Sequence, residues 1–169
     1  MNLPELSPRG THIEARDAER YAETYLREIG IPSMKAVWAS LYENVYYVNL
    51  AAEEDGVILY PDLVKVKVAA DTGRIVGMES LNYIYNHSAR TLPTPIVTEQ
   101  EALDAISEYI DLSSCRLALV PTKGNGEALA YEFFGTKGAD KYFVYVDALT
   151  GEEMKVMRVL DGERGLLLL

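Results

Sequence analysis

The chain has 169 residues, a length that suits one medium domain or two small ones. Hydrophobic residues at 49% supply a core, and charged residues at 25% are ordinary, which argues against a disordered chain. A net charge of -10 without a clustered Lys/Arg footprint argues against nucleic acid and fits a basic partner or plain solubility.

The first element in chain order is a helix in THIEARDAERYAETYLREIG, residues 11–30. Ala18, Tyr21, Ala22, Tyr25 and Ile29 recur at spacings of three and four and form one apolar stripe. Thr11 with Glu14 predicts a capping box, and Gly30 followed by Pro32 stops the helix. His12 falls in the first turn, where a cation is disfavoured, so an exposed neutral ring is expected. Two strands follow, MKAVWASLY and VYYVNLAA, with Trp38 as core or as the wall of a groove. The acidic AEEDG at 52–56 reads as a solvated turn. In LYPDLVKV, Pro61 inside a β-rich run implies an edge or a bulge, and an open edge there would accept a partner strand.

Residues 63–80, LVKVKVAADTGRIVGMES, alternate, break at a turn and alternate again. The pattern returns at 141–159 as KYFVYVDALTGEEMKVMRV. With Gly73 aligned to Gly151, Val64, Val66 and Val68 match Tyr142, Val144 and Val146, while Val76 and Met78 match Met154 and Val156. Each stretch therefore predicts a β-hairpin with one buried face, its glycine supplying positive φ at the turn. Thr72 and Thr150 bond nearby backbone groups in such turns. A second helix, VTEQEALDAISEYIDL, precedes the second hairpin, with Ala102, Ala105, Ile106, Tyr109 and Ile110 as its stripe and Thr98 with Glu101 as its capping box. CRLALVP and ALAYEFFG fill the interval as strands, joined by TKGNGEA, which lacks P-loop spacing and reads as a hairpin loop.

The two halves thus repeat one plan of a helix followed by about four antiparallel strands, an α+β fold. The first repeat spans residues 1–82, a linker 83–95 and the second repeat 96–169. Pro93 and Pro95 mark the boundary. The linker also gathers Tyr83, Tyr85, Asn86, His87 and Arg90.

No catalytic constellation stands out: there is no G-x-S-x-G, no H-E-x-x-H, and only two histidines. Neither a metal site nor a cofactor is expected. The single cysteine, Cys115, allows no intrachain disulfide and reads as a small buried hydrophobe at a strand start in preference to a reactive thiol. No run approaches the ~18 apolar residues of a membrane span, so the chain is expected to be soluble. Six of the 12 tyrosines fall between Tyr42 and Tyr85. A half-buried sheet face accounts for them, and a recognition surface is the sharper alternative.

The helix opened by TEQEA, followed by strands and then VYVDALTGEE, is similar to the PepSY domain, a noncatalytic cystatin-like α+β module. From LYPDLVKVKVAADTGRIVGMESLNYIYNHSAR and LPTPIVTEQEAL through RLALVP and EALAYEFFG, residues 57–160 resemble the C-terminal region of the YpeB-type spore-germination proteins. That resemblance implies a piece of a longer, membrane-anchored protein, located in the spore on the outer side of the inner membrane or in the cortex region. It implies no cofactor, no catalytic residue, and a partner: a cortex-lytic cell-wall hydrolase of the SleB type, which the module binds, stabilises and restrains until germination. The expected contact surface is Tyr60, Asp62, Tyr83, Tyr85, Asn86, His87 and Arg90. The alternative for these residues is packing between repeats, with Arg90 and Asp62 or Asn86 bonding the linker down. Alternative functions are a general peptidase-inhibitory module and a binder of small ligands or cell-wall fragments that stack on Trp38 and the tyrosines.

Overall fold

The computed structural model describes residues 13–106, 110–124, 126–162 and 165–168. The elements are α1 (Ala15–Glu28), β1 (Met34–Tyr42), β2 (Val45–Glu54), β3 (Val57–Ala69), β4 (Ile75–Glu79), α2 (Leu81–Asn86), α3 (Glu99–Asp104), β5 (Asp111–Pro121), β6 (Glu127–Lys137), β7 (Asp140–Asp147), β8 (Glu153–Gly162) and β9 (Gly165–Leu168). They form two compact units, one built on the chain up to Glu53 with Asp62–His87, the other on Glu54–Pro61 with Ser88–Leu160. Among the described residues, no helix is long and apolar enough to cross a membrane.

In the first unit α1 buries Ala18, Ala22 and Leu26 completely, one residue every turn. The two alanines in that row allow close approach of the helix to its neighbours, and Leu26 adds the largest buried side chain of the row. Tyr21 and Tyr25 flank the row half-buried, and Ile29 is the exposed C-cap. Glu14 is itself the N-cap, in extended conformation and without a side-chain cap bond. Thr11 and His12 lie outside the described residues. The helix entry is held instead by the Ile13 N–H donating to the Ala70 carbonyl at 2.8 Å and the Tyr46 hydroxyl donating to the Ile13 carbonyl at 2.9 Å. Its exit turns at Gly30, φ +88°, where Gly30 and Ile31 donate to the Arg27 and Leu26 carbonyls and satisfy the last helical acceptors.

The strands of this unit run antiparallel in the order β1, β2, β3, with β4 also on β3. Val64, Val66 and Val68 are fully buried, as the alternation predicts. Met78 on β4 stays exposed. The turn at Gly73 has φ +69°, and a Cβ there would stand 2.6 Å from the ring of Tyr21. Glycine is therefore required twice, for the backbone and for the ring packed against it.

In the second unit β5, β6, β7 and β8 are antiparallel neighbours. One pairing departs from the expected antiparallel plan: Val57, Ile58 and Leu59 of β3 run parallel to Leu117, Ala118 and Leu119 of β5. Parallel neighbours need a long crossover, and the chain between β3 and β5 supplies it. Pro61 is buried and lies two residues past the last residue of this pairing. Pairing with β5 ends at Leu59, before the residue that lacks an N–H.

The second helix is much shorter than its pattern suggested. It runs Glu99–Asp104 with both bonds of the Thr98–Glu101 capping box present, and it buries Ala102, with Ile106 buried just beyond its end. Ala105 is exposed, Tyr109 lies outside the described residues, and Ile110 directly precedes β5. The turn at Gly151 repeats that at Gly73, each glycine N–H donating back four residues at 2.8 Å. Asp147 Oδ1 accepts from the N–H groups of Leu149 and Thr150 at 2.7 and 3.0 Å, so this carboxylate shapes the turn. Val144 and Val146 are buried as expected, but β8 buries Met157 and Val159 and leaves Met154 and Val156 exposed. A register shift between Tyr145 and Val146 separates the two stretches of this pairing.

Replacing Thr98 by Ala removes the acceptor for the Glu101 N–H and is expected to lower stability by about 1 kcal/mol in urea unfolding, with Thr98→Ser close to wild type. Equal stability of all three proteins would show that the cap contributes nothing.

Candidate functional site

The residues expected to form one surface fall into separate settings. Asp62 continues the row of Val64, Val66 and Val68, because side chains two apart along a strand share a face. Its side chain is 0% exposed. A carboxylate in a valine row is costly unless bonded. His87 supplies a bond: its Nδ1 lies 2.6 Å from Asp62 Oδ2, and since a carboxylate only accepts, Nδ1–H is the donor. The half-exposed imidazole is the C-cap of α2 and stacks on Tyr83 at 4.4 Å between centroids and 14° between planes. Burial, and then the charge of Asp62, push the Tyr83 hydroxyl pKa up. Asp62, Tyr83 and His87 thus come together in the first unit.

The other expected residues do not join them. Tyr85 projects into solvent at 81% exposure, and Asn86 is also exposed. Arg90 belongs to the second unit, where its guanidinium grips Glu127 in a two-bond fork, Nε to Oε2 and Nη2 to Oε1, each 3.0 Å. Its Nη1 also donates to the Ser88 carbonyl at 3.2 Å. Arg90 and Asp62 therefore do hold down the segment that follows α2, each within its own unit.

Tyr60 leads to a polar cluster that pattern reading missed. Arg116 on β5 faces Glu132 on β6, which faces Tyr145 on β7. Arg116 Nε and Nη2 each lie 2.6 Å from Glu132 Oε1, the Tyr145 hydroxyl donates to Glu132 Oε2 at 2.8 Å, and Arg116 Nη2 donates to the Tyr60 hydroxyl at 3.0 Å. Glu132 is 2% exposed. Burial first, and the Glu132 charge second, drive both tyrosine hydroxyls well above their usual pKa. Both oxygens of the carboxylate are bonded, so the arrangement ties β5, β6 and β7 together. The signal was present in the sequence: one Glu between Tyr131 and Phe133, and one Arg before an apolar run.

Among the described residues, no group of three or more His, Cys, Asp or Glu side chains is placed to hold a metal ion. Trp38 is half-buried on β1. Cys115 is half-buried, and burial, with the charges of Glu99 and Glu132, pushes its thiol pKa up to about 12.

Residues 3–93 match the family described as YpeB sporulation, PepSY1 and PepSY2 domains, and residues 96–157 match the peptidase propeptide and YPEB domain. The chain belongs to the YpeB family. It is 33% identical over 152 residues to the sporulation protein YpeB of Halalkalibacterium halodurans, covering 90% of this chain and 34% of that protein. To the sporulation protein YpeB of Bacillus subtilis it is 29% identical over 153 residues, covering 89% and 34%. The solved Bacillus megaterium YpeB C-terminal domain superposes with a TM-score of 0.79 at 28% identity, covering 89% of this chain and 67% of that one. This YpeB-family chain therefore carries tandem PepSY domains, and it spans about a third of the length of the curated relatives it matches.

Two outcomes follow from the buried groups. Arg116→Met and Glu132→Leu are each expected to cost about 3 kcal/mol, because each leaves a buried polar partner behind, while the double variant costs clearly less than their sum. Additive losses in denaturant titrations would refute that coupling. With its pKa raised, the Cys115 thiol stays protonated at pH 8, so a disulfide reagent should modify it slowly in the folded protein and rapidly in urea. Equal rates in the two conditions would contradict the burial.

Proposed function

We propose that this chain is a noncatalytic module of a spore-germination protein that binds, stabilises and restrains a cortex-lytic cell-wall hydrolase of the SleB type until germination. The observation that carries this reading is the YpeB-family match, which extends through both units. The geometry is compatible with it: the buried carboxylates Asp62 and Glu132 are bonded to neighbours, and the segment around Tyr83, Tyr85, Asn86 and His87 presents apolar and aromatic side chains to solvent. In the spore the module would act on the outer side of the inner membrane or in the cortex region, carried by a longer membrane-anchored protein. Tyr60, Asp62 and Arg90, also expected on the contact surface, are each bonded within their own unit.

A second reading, a general peptidase-inhibitory module, is favoured by the peptidase-propeptide description of the domain matched at residues 96–157. The two differ in target. Titration calorimetry of the purified chain against the purified cortex-lytic hydrolase of the same organism, with cortex peptidoglycan hydrolysis followed in parallel, separates them. Binding with slowed hydrolysis is expected. No binding, together with inhibition of a secreted peptidase, would replace the first reading by the second.

A further inference from the structure

Helix α2 is inverted relative to an ordinary surface helix. Its six residues bury no side chain, and its large apolar residues face water: Leu81 and Ile84 are 66% exposed and Tyr85 81%. At about 100° per residue, positions 81, 84 and 85 fall within one arc, while 83 and 87 fall on the opposite side. That opposite side is the one attached to the unit. Tyr83 is the one residue of 81–87 that is not exposed, and His87, stacked on it, reaches the buried Asp62 on β3. The helix is thereby clamped with its apolar face outward. Solvent-facing apolar side chains grouped on one short element mark an interaction site.

Charge narrows the occupant. Residues 80–89, SLNYIYNHSA, contain no Asp, Glu, Lys or Arg, whereas the whole chain carries -10. A second copy would bring -10 against -10, and this repulsion opposes self-association. A basic protein is attracted by the field of the chain and buries no formal charge of this face on docking. We infer that Leu81, Ile84 and Tyr85 are the side chains that dock into an apolar groove of a basic partner protein, and that Asp62, Tyr83 and His87 are positioning residues that hold α2 in the docking orientation. This rests on the function proposed above, with the cortex-lytic hydrolase as the partner.

The experiment is calorimetric binding of the hydrolase to the full chain and to its variants, with backbone hydrogen exchange on each free variant. Ile84→Ser and Tyr85→Ala are expected to weaken binding about tenfold or more without changing the exchange pattern, as for residues at the centre of an interface. Met154→Ala, at an exposed apolar position on β8, is expected to bind like wild type. His87→Ala and Asp62→Asn are expected to weaken binding about threefold to tenfold and to speed exchange of the Ile84 and His87 amides, which are bonded to the Ser80 and Tyr83 carbonyls. His87→Ala tests the clamp if the buried Asp62→Asn change impairs folding.

Wild-type binding with undiminished affinity in Ile84→Ser and Tyr85→Ala overturns the docking face and leaves the proposed function standing. Absence of wild-type binding overturns both. Self-association of the wild type in sedimentation, lost in the same variants, would assign the face to a second copy and overturn the partner inferred here. Unchanged exchange in His87→Ala overturns the positioning role by itself.

Discussion

A carboxylate withdrawn from water costs several kcal/mol unless it is paired, and among the described residues each unit contains one so withdrawn. Asp62 stands where the strand pattern would place another valine, and Glu132 stands between Tyr131 and Phe133 in the buried stretch of β6. Their partners come from other elements, so satisfying the charge fixes where those elements lie. His87 must end α2 against β3. Arg116 and Tyr145 must flank Glu132 in register, because a slip of one residue would turn a strand's side chains to the other face and break the row. Apolar burial favours compact sheets in general, and these two carboxylates select one arrangement among them.

The two units share a plan and diverge in detail. Both contain a hairpin whose turn glycine has positive φ and donates back to the fourth residue before it. The first unit relies on a long helix, whose buried alanines and Leu26 supply apolar contact without a side-chain cap. The second has a helix of six residues, too short to be stable alone, that closes with both bonds of a capping box. It gains a parallel strand from β3 instead. The divergence is consistent with a family in which tandem PepSY domains are matched by separate descriptions for the two stretches of the chain.

Strands were the most legible part of the sequence. Period-two alternation and the turn residues located β1 at its observed bounds and both hairpins at their glycines, because those signals are local. The parallel β3 and β5 pairing was not legible, since it joins residues 60 apart and leaves no mark on either strand. Helix α2 escaped notice for a different reason: amphipathic patterns are read with the apolar side inward, and this one points out. Of the expected surface, Asp62, Tyr83 and His87 were named, and the structure brings these three together in the first unit. Arg116, Glu132 and Tyr145 were not, because their proximity depends on strand register, which composition does not reveal.

The contact between Gly73 and Tyr21 carries a consequence for how this sequence can drift. The ring of Tyr21 on α1 occupies the space that a side chain on the hairpin tip would need. A larger residue at 73 demands both a backbone that tolerates positive φ and a smaller residue at 21, so neither position changes alone without opening a gap or a clash. Helix and hairpin, fifty residues apart in the chain, therefore behave as one unit of inheritance, and relatives that lose the glycine are expected to have lost the aromatic ring with it.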